Sequence, residues 1–177
     1  LVLDKVPQRL LVIGAGGVGS AAVGIAARRD FFEHMVVADY DPARVTHALA
    51  QVAGDARFSG AQVDAGNVAA MVALIRERSV THVLNAVDPR FVMPIFDACF
   101  EAGVTYMDMA MSLSRPHPEQ PHALTGEKLG DAQFAKAAPC MPSQRKESGC
   151  VSGKPPMPMS VVVTGMFVAS ANFLSSA

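Results

Sequence analysis

The chain has 177 residues, enough for one ordinary domain with a hydrophobic core and too few for two large domains. Half of the residues are apolar and 18% are charged, a composition that excludes disorder over most of the length. The 15 Lys and Arg and 16 Asp and Glu leave a net charge of −1, which gives no electrostatic reason to bind nucleic acid or an anionic membrane.

The cysteines and the apolar segments bear on the cellular compartment of the protein. Three cysteines, Cys99, Cys140 and Cys150, are an odd number without metal-ligand spacing, so we expect neither a disulfide framework nor a zinc site. The opening LVLDKVPQRL lacks the features of a signal peptide. The longest apolar stretch, Val161 to Leu174, falls short of the ~20 residues that a bilayer requires. We therefore predict a cytoplasmic protein without a transmembrane helix.

Short apolar runs alternate with longer segments of helical period from Arg9 onward. The first run, RLLVIG at 9–14, lacks polar alternation, as expected of a strand buried on both faces. A helical stretch of small residues follows at 20–29. Further strands are predicted at 35–39, 56–63, 81–86 and 104–109.

Three amphipathic helices are predicted between the later strands. Asp41 is placed to cap the first of them with Pro42 in its first turn, and Asn67 is placed to cap the second. Gly103 follows the third where a left-handed C-cap is expected. The apolar stripes consist of Val45, Leu49 and Val52, then Val68, Met71, Val72 and Ile75, then Val92, Ile95, Phe96 and Cys99.

Five strand-helix repeats in about a hundred residues are typical of an α/β fold. A parallel sheet needs crossover connections, which are right-handed and place helices on both faces. We predict a doubly wound parallel sheet of five to six strands, with 3-2-1-4-5 as the usual strand order.

The composition changes after Ala138. Segment 139–160 holds five prolines and four serines, which is typical of a linker. The final SVVVTGMFVASANFLSSA is compatible with a strand or a short helix. We therefore divide the chain into a folded domain, residues 1–138, and a Pro/Ser-rich linker with an atypical tail, residues 139–177.

A glycine-rich motif lies directly between the first predicted strand and the helix after it. Because of this context the motif predicts a dinucleotide site: its first glycine permits a tight turn, its second lets a pyrophosphate approach the backbone, and its third lets the helix pack against the strand. The pyrophosphate would meet free N–H groups at the helix N-terminus. The motif consists of Gly14, Ala15, Gly16, Gly17, Val18 and Gly19.

An acidic residue ends the second predicted strand twenty residues after the motif. From this position Asp39 would reach the hydroxyls of the adenosine ribose; the alternatives are a polar strand end or a helix cap, and Asp41 could take either part. Asp39 favours NAD over NADP, because a carboxylate repels a 2′-phosphate, whereas Arg44 could offset that repulsion. Tyr40 lies between them and joins the candidate cofactor residues.

Other polar residues follow the later strands, at the edge where ligands bind in open α/β sheets. Asp64 could bond the adenine amino group or initiate a turn. Asn85, with Ala86 and Val87, is expected on the nicotinamide side, whereas Asp88 before Pro89 is expected to be a cap. Asp108 would touch cofactor or substrate, with strand-end capping as an equal alternative.

Several catalytic and metal-binding patterns are absent. Tyr40 and Tyr106 are followed four residues later by Arg44 and Ala110, so the Tyr–Lys pair of short-chain dehydrogenases is missing. G-K-[ST] and G-x-S-x-G do not occur, which argues against a nucleoside triphosphatase and a hydrolase elbow. No two histidines have metal-ligand spacing.

Several segments within residues 9–138 are characteristic in combination: LVIGAGGVGS, ADYDPAR, VDAGN, HVLNAVDP and the stretch from GVTYMDMA through GEKLGDAQFA. On these segments the chain resembles the saccharopine dehydrogenase-like family. The resemblance implies a Rossmann-type NAD(P)-binding fold and hydride transfer between NAD or NADP and a carbon–nitrogen bond of an amino acid or polyamine precursor. It also implies cofactor roles for Gly14, Gly16, Gly19, Asp39, Asp64, Asn85 and Asp108.

The resemblance further implies a large substrate domain that is missing from this sequence, through which such proteins often form homodimers. No catalytic acid or base is therefore named. Two alternatives stay open, a non-catalytic module that binds a dinucleotide or a partner, and an inactive fragment.

Overall fold

The computed structural model describes residues 7–109, 115–128, 130–137, 161–163 and 166–167. The elements within them are β1 (Arg9–Ile13), α1 (Gly17–Ala26), β2 (His34–Asp39), α2 (Pro42–Ala50), β3 (Phe58–Gln62), α3 (Val68–Glu77), β4 (His82–Asn85), α4 (Val92–Ala102), β5 (Thr105–Asp108), α5 (Asp131–Ala137), β6 (Val161–Val163) and β7 (Met166–Phe167). A 3-10 turn, Pro89–Phe91, precedes α4.

These strands form one sheet in the order β3-β2-β1-β4-β5-β6-β7. Strands β1 to β6 pair in parallel and β7 pairs antiparallel to β6. The predicted α/β fold and the order 3-2-1-4-5 are confirmed, whereas the described sheet has seven strands and not the predicted five to six. Strands β6 and β7 come from the segment that was compatible with strand or helix, and the sequence does not predict the antiparallel pairing. The linker at 139–160 lies outside the described residues, and the domain boundary at 138 stays a prediction.

The central strand β1 is buried on both faces, as its uninterrupted apolar run predicts. Leu11 and Ile13 belong to one apolar cluster with residues of α3 and α4, including Met71 and Phe96. Val12 belongs to a second cluster, which includes residues of α1 and α2. Helices therefore cover both faces, and the carboxyl ends of the parallel strands meet at one edge of the sheet.

Helix α1 begins within the glycine motif. The sequence places its start at Ser20 and its end at Arg29, whereas the structure places them at Gly17 and Ala26. The Ser20 backbone N–H already donates to the Gly16 carbonyl oxygen at 2.8 Å, so the first helical turn is formed by the glycines themselves. This brings the helix N-terminus directly to the strand end.

The predicted helix caps are confirmed. The Asp41 carboxylate accepts from the Ala43 N–H at 2.8 Å, with Pro42 as the first residue of α2. The Asn67 side chain accepts from the Ala70 N–H at 3.0 Å. Gly103 ends α4 with a φ of 71°, in the left-handed region.

Removing the Asn67 cap is expected to destabilise the domain moderately. Asn67→Ala leaves the Ala70 N–H without its side-chain acceptor, and such losses cost about 1 kcal/mol of the free energy of unfolding. Urea denaturation measures the difference. Asn67→Asp, which keeps an oxygen at the cap, should match the wild type; equal midpoints for wild type and Asn67→Ala would contradict the assigned cap.

Within the described residues, no helix is both long enough and apolar enough to span a bilayer.

Candidate functional site

The turn between β1 and α1 requires glycine at the first and the last position of the glycine motif, Gly14 and Gly19. Gly14 has a φ of +103°, and a Cβ there would lie 2.6 Å from the Val87 Cγ1 and 2.7 Å from the Ala86 carbonyl oxygen. A Cβ on Gly19 would lie 1.7 Å from the Gly14 carbonyl oxygen. The roles predicted for these two glycines, tight turn and close helix packing, are therefore confirmed.

The middle of the motif faces open space. A Cβ on Gly16 or on Gly17 would meet nothing within 4 Å, and Val18 is 51% exposed. Gly16 is the N-cap of α1 and provides no side-chain acceptor for the first N–H groups of this ten-residue helix. An accessible helix N-terminus with glycines at its entrance fits a phosphate group physically.

Asp39 ties the end of β2 to this loop. Its Oδ2 accepts from the Ala15 N–H at 2.7 Å and its Oδ1 accepts from the Asp41 N–H at 3.0 Å. The residue is only 5% exposed. The sequence predicts a strand-end acid here but does not show that the carboxylate is directed at the glycine loop. Contact with a ribose stays a prediction.

Tyr40 and Arg44 lie on the exposed side of the same edge. Tyr40 is 63% exposed. The Arg44 guanidinium carbon lies 5.4 Å from the centre of the Tyr40 ring, a cation–π arrangement. Arg44 also faces Asp41, with 3.8 Å between Nε and Oδ2, and its side chain is half exposed. The guanidinium therefore keeps donors accessible to solvent.

A cavity of about 480 Å³ opens beside Tyr40, between the ends of β2 and β3 and the face of α3. Asp64 lies at its rim, where Oδ1 accepts from the Gly66 N–H at 2.8 Å, so the turn interpretation of Asp64 is confirmed. The adenine contact stays a prediction. The sequence does not indicate that α3 would contribute to this cavity. Its lining consists of Tyr40, Gln62, Val63, Asp64, Asn67, Ala70, Ala73, Leu74 and Glu77.

Behind the glycine loop, three buried polar side chains form a chain of hydrogen bonds. Asn85 Oδ1 accepts from the Val87 N–H at 3.1 Å, and Asn85 Nδ2 donates to the Tyr106 hydroxyl at 3.0 Å. The Tyr106 hydroxyl donates to Asp108 Oδ2 at 2.8 Å. None of the three residues is exposed. The sequence predicts Asn85 and Asp108 as edge residues but misses Tyr106, because a tyrosine in an apolar strand usually indicates only core packing.

Asp88 and two histidines lie apart from these contacts. Asp88 accepts from the Arg90 N–H at 3.0 Å and caps the turn before α4, as predicted; this hydrogen bond and the guanidinium lower the pKa of Asp88. His34 and His82 are the first residues of β2 and β4, at the ends of these strands that lie away from the glycine loop, and burial lowers the pKa of both. In the part of the chain that the structure describes, no group of three His, Cys, Asp or Glu could hold a metal ion.

The sequence of this chain is similar to those of known proteins. Residues 10–141 match the family described as "Saccharopine dehydrogenase NADP binding domain". The carboxyaminopropylagmatine dehydrogenase of a Synechocystis species is 30% identical over 102 residues, which cover 58% of this chain and 25% of that protein. The carboxynorspermidine synthase of Vibrio cholerae is 30% identical over 112 residues, which cover 59% of this chain and 27% of that protein. The chain thus spans about a quarter of the length of these relatives.

A solved structure shares the fold. The X-ray structure of Pen from Bacillus thuringiensis superposes with a TM-score of 0.50 at 9% sequence identity, covering 57% of this chain and 38% of that one. At this identity the likeness concerns the fold alone. The family match extends over most of the chain and includes the glycine loop, Asp39 and the Asn85–Tyr106–Asp108 chain. The protein therefore belongs to the saccharopine dehydrogenase family and carries its NAD(P)-binding domain.

Proposed function

We propose that this chain supplies the cofactor-binding part of an NADP-dependent oxidoreductase that acts on a carbon–nitrogen bond of an amino acid or polyamine precursor. The observation that carries the proposal is the accessible N-terminus of α1 at Gly16 and Gly17, which lies at the same sheet edge as the cavity beside Tyr40. An anion-binding helix end next to a cavity of this volume suits a dinucleotide.

Each part of the cofactor then has its own contacts. The N–H groups of Gly16, Gly17 and Val18 bind the pyrophosphate, and the adenosine half occupies the cavity with Tyr40 and Asp64 at its rim. Ala86 and Val87, at the end of β4, lie on the nicotinamide side, because the second half of a doubly wound sheet binds the second nucleotide. The nicotinamide, when bound, supplies the hydride, and the protein binds and orients the nicotinamide ring.

The choice between NADP and NAD depends on Asp39 and Arg44. The sequence argument for NAD requires a carboxylate directed at the ribose, whereas both oxygens of Asp39 accept hydrogen bonds from backbone N–H groups in the structure. Arg44 keeps its guanidinium over the Tyr40 ring with donors exposed. A guanidinium can bind a phosphate through paired hydrogen bonds. We infer that Arg44 binds the 2′-phosphate and that NADPH binds more tightly than NADH.

Replacing Arg44 is expected to weaken NADPH binding selectively. Arg44→Ala removes a charged donor, and such a hydrogen bond corresponds to about tenfold in the dissociation constant. The affinity for NADH should be unchanged, because it has no 2′-phosphate. The matched control is Arg28→Ala, because Arg28 is exposed and follows the C-terminal end of α1, away from the glycine motif. An equal loss of NADH and NADPH affinity would contradict the assignment of Arg44.

A fluorescence titration of the purified chain with NADH and NADPH tests the proposal as a whole. Saturable binding of NADPH, tighter than that of NADH, is the expected result. A circular dichroism melt of the same sample shows whether it is folded. A cooperatively melting chain that binds neither cofactor would overturn the proposal.

The substrate class rests on the relatives' names, which include a dehydrogenase of carboxyaminopropylagmatine and a synthase of carboxynorspermidine. An aldehyde mixed with a diamine forms an imine and water; the imine carbon accepts the hydride and its nitrogen accepts a proton, which gives a secondary amine and the oxidised cofactor. Oxidation of NADPH by this chain on addition of such a mixture would support this substrate class. Tight NADPH binding without oxidation is the result expected of the cofactor-binding part alone and of the non-catalytic module.

A further inference from the structure

The end of β4 is held between β1 and β5 by backbone pairing. Asn85 pairs with Ile13 of β1 on one side and with Asp108 of β5 on the other. The Ala86 N–H donates to the Ile13 carbonyl oxygen at 2.8 Å, and the Met109 N–H donates to the Asn85 carbonyl oxygen at 3.1 Å. Beyond Ala86 the sheet pairing ends, so side chains must direct the next part of the backbone.

The Asn85 side chain provides this direction. Its Oδ1 accepts from the Val87 N–H at 3.1 Å, which turns the backbone of 86–87 toward the glycine loop. There the Ala86 carbonyl and the Val87 side chain fill the space that a Cβ on Gly14 would need. The position of these two residues therefore depends on which way the Asn85 amide faces.

The amide orientation of Asn85 depends in turn on Tyr106. The Tyr106 hydroxyl has one proton, which it donates to Asp108 Oδ2 at 2.8 Å. The hydroxyl oxygen is then an acceptor, so it selects the NH2 end of the Asn85 amide, at 3.0 Å, and leaves the oxygen for Val87. Burial raises the pKa of Tyr106, so the phenol keeps this proton.

We propose that Tyr106 is a positioning residue for cofactor binding: together with Asp108 it orients the Asn85 amide, which places Ala86 and Val87 at the nicotinamide half of the site. This inference rests on the proposed function, since it concerns the same cofactor. The proposed role of Tyr106 concerns the nicotinamide half of the site and not the adenosine half. The adenosine half depends on Tyr40 and the adjacent cavity, and the residues that line this cavity are different from those that form the Asn85–Tyr106–Asp108 hydrogen bonds.

The two halves can be tested separately with whole and truncated ligands. NADPH and NADH are titrated beside the adenylate half of each, 2′-phosphorylated ADP for NADPH and ADP for NADH. Tyr106→Phe keeps the aromatic ring, which packs edge-on against Phe96 with centroids 5.4 Å apart, and removes only the hydroxyl. We expect the dissociation constants of the whole cofactors to rise about three- to tenfold and those of the adenylate halves to stay within about twofold.

A control variant separates an effect on orientation from an effect on core packing. Ile95→Val removes a methyl group from the buried core of α4 and should lower the melting temperature without changing the ratio of whole-cofactor to adenylate affinity.

The outcomes are distinguishable. Loss of whole-cofactor affinity alone in Tyr106→Phe supports the positioning role. Equal losses for cofactor and adenylate, or no loss for either, would overturn it while leaving the proposed function intact. Failure of the folded wild type to bind any of the four ligands would overturn the proposed function itself.

Discussion

Replacing Gly16 with aspartate is expected to abolish the binding of NADPH and NADH while leaving the domain folded. Gly16 has a φ of −71°, which any residue adopts, and a Cβ there meets nothing within 4 Å. The added carboxylate would bond the first N–H groups of α1 and repel the pyrophosphate that needs them. We expect at least about a 100-fold loss of affinity, which corresponds to about 2.7 kcal/mol.

The thermal stability of Gly16→Asp should stay equal or rise although its affinity for the cofactors falls. Aspartate is a preferred N-cap residue, whereas Gly16 provides no side-chain cap, so the melting temperature of Gly16→Asp should equal or exceed that of the wild type. Fluorescence titration measures the affinity, and a circular dichroism melt measures the stability.

Two control variants separate charge from position. Gly16→Ala adds a methyl group without charge and should bind more tightly than Gly16→Asp. Ala56→Asp adds the same charge to an exposed turn before β3, at the opposite edge of the sheet, and should bind like the wild type. Retention of wild-type affinity by Gly16→Asp would show that the pyrophosphate does not bind at this helix end.

Replacing Gly19 with alanine is expected to destabilise the domain strongly. The new Cβ would lie 1.7 Å from the carbonyl oxygen and 2.9 Å from the carbonyl carbon of Gly14, and backbone atoms cannot rotate away as a side chain can. Helix α1 must therefore shift away from the strand end. Such overpacking costs about 1–3 kcal/mol of the free energy of unfolding, or more where the backbone cannot move.

The sign of this effect is informative, because alanine favours a helix over glycine by about 1 kcal/mol. A melting temperature lowered by roughly 10 °C would thus report the contact rather than helix propensity. Gly17→Ala, in the same helix with open space around it, is the matched control and should melt at or above the wild type. A Gly19→Ala protein as stable as Gly17→Ala would refute the close packing.

Local sequence patterns were sufficient for the fold and for the entrance of the site. The uninterrupted apolar run of β1 predicts a strand covered on both faces, and Asp41, Asn67 and Gly103 cap their helices as their types and positions predict. The glycine motif predicts its own geometry, because the clash of a Cβ with the turn and the packing of α1 on β1 are local properties of Gly14 and Gly19.

The contacts that position the site depend on residues far apart in the sequence. Asp39 bonds the Ala15 N–H across 24 positions, and Tyr106 bonds Asn85 across 21. Neither hydrogen bond can be predicted from a local sequence pattern, because β2 and β4 become neighbours of β1 only when the sheet forms. Residue types and short spacings thus determined the strands, the helices, the caps and the glycine turn. Tertiary structure decided where the carboxylates and the Asn85 amide point, because hydrogen bonds between strand ends require the whole sheet to be assembled.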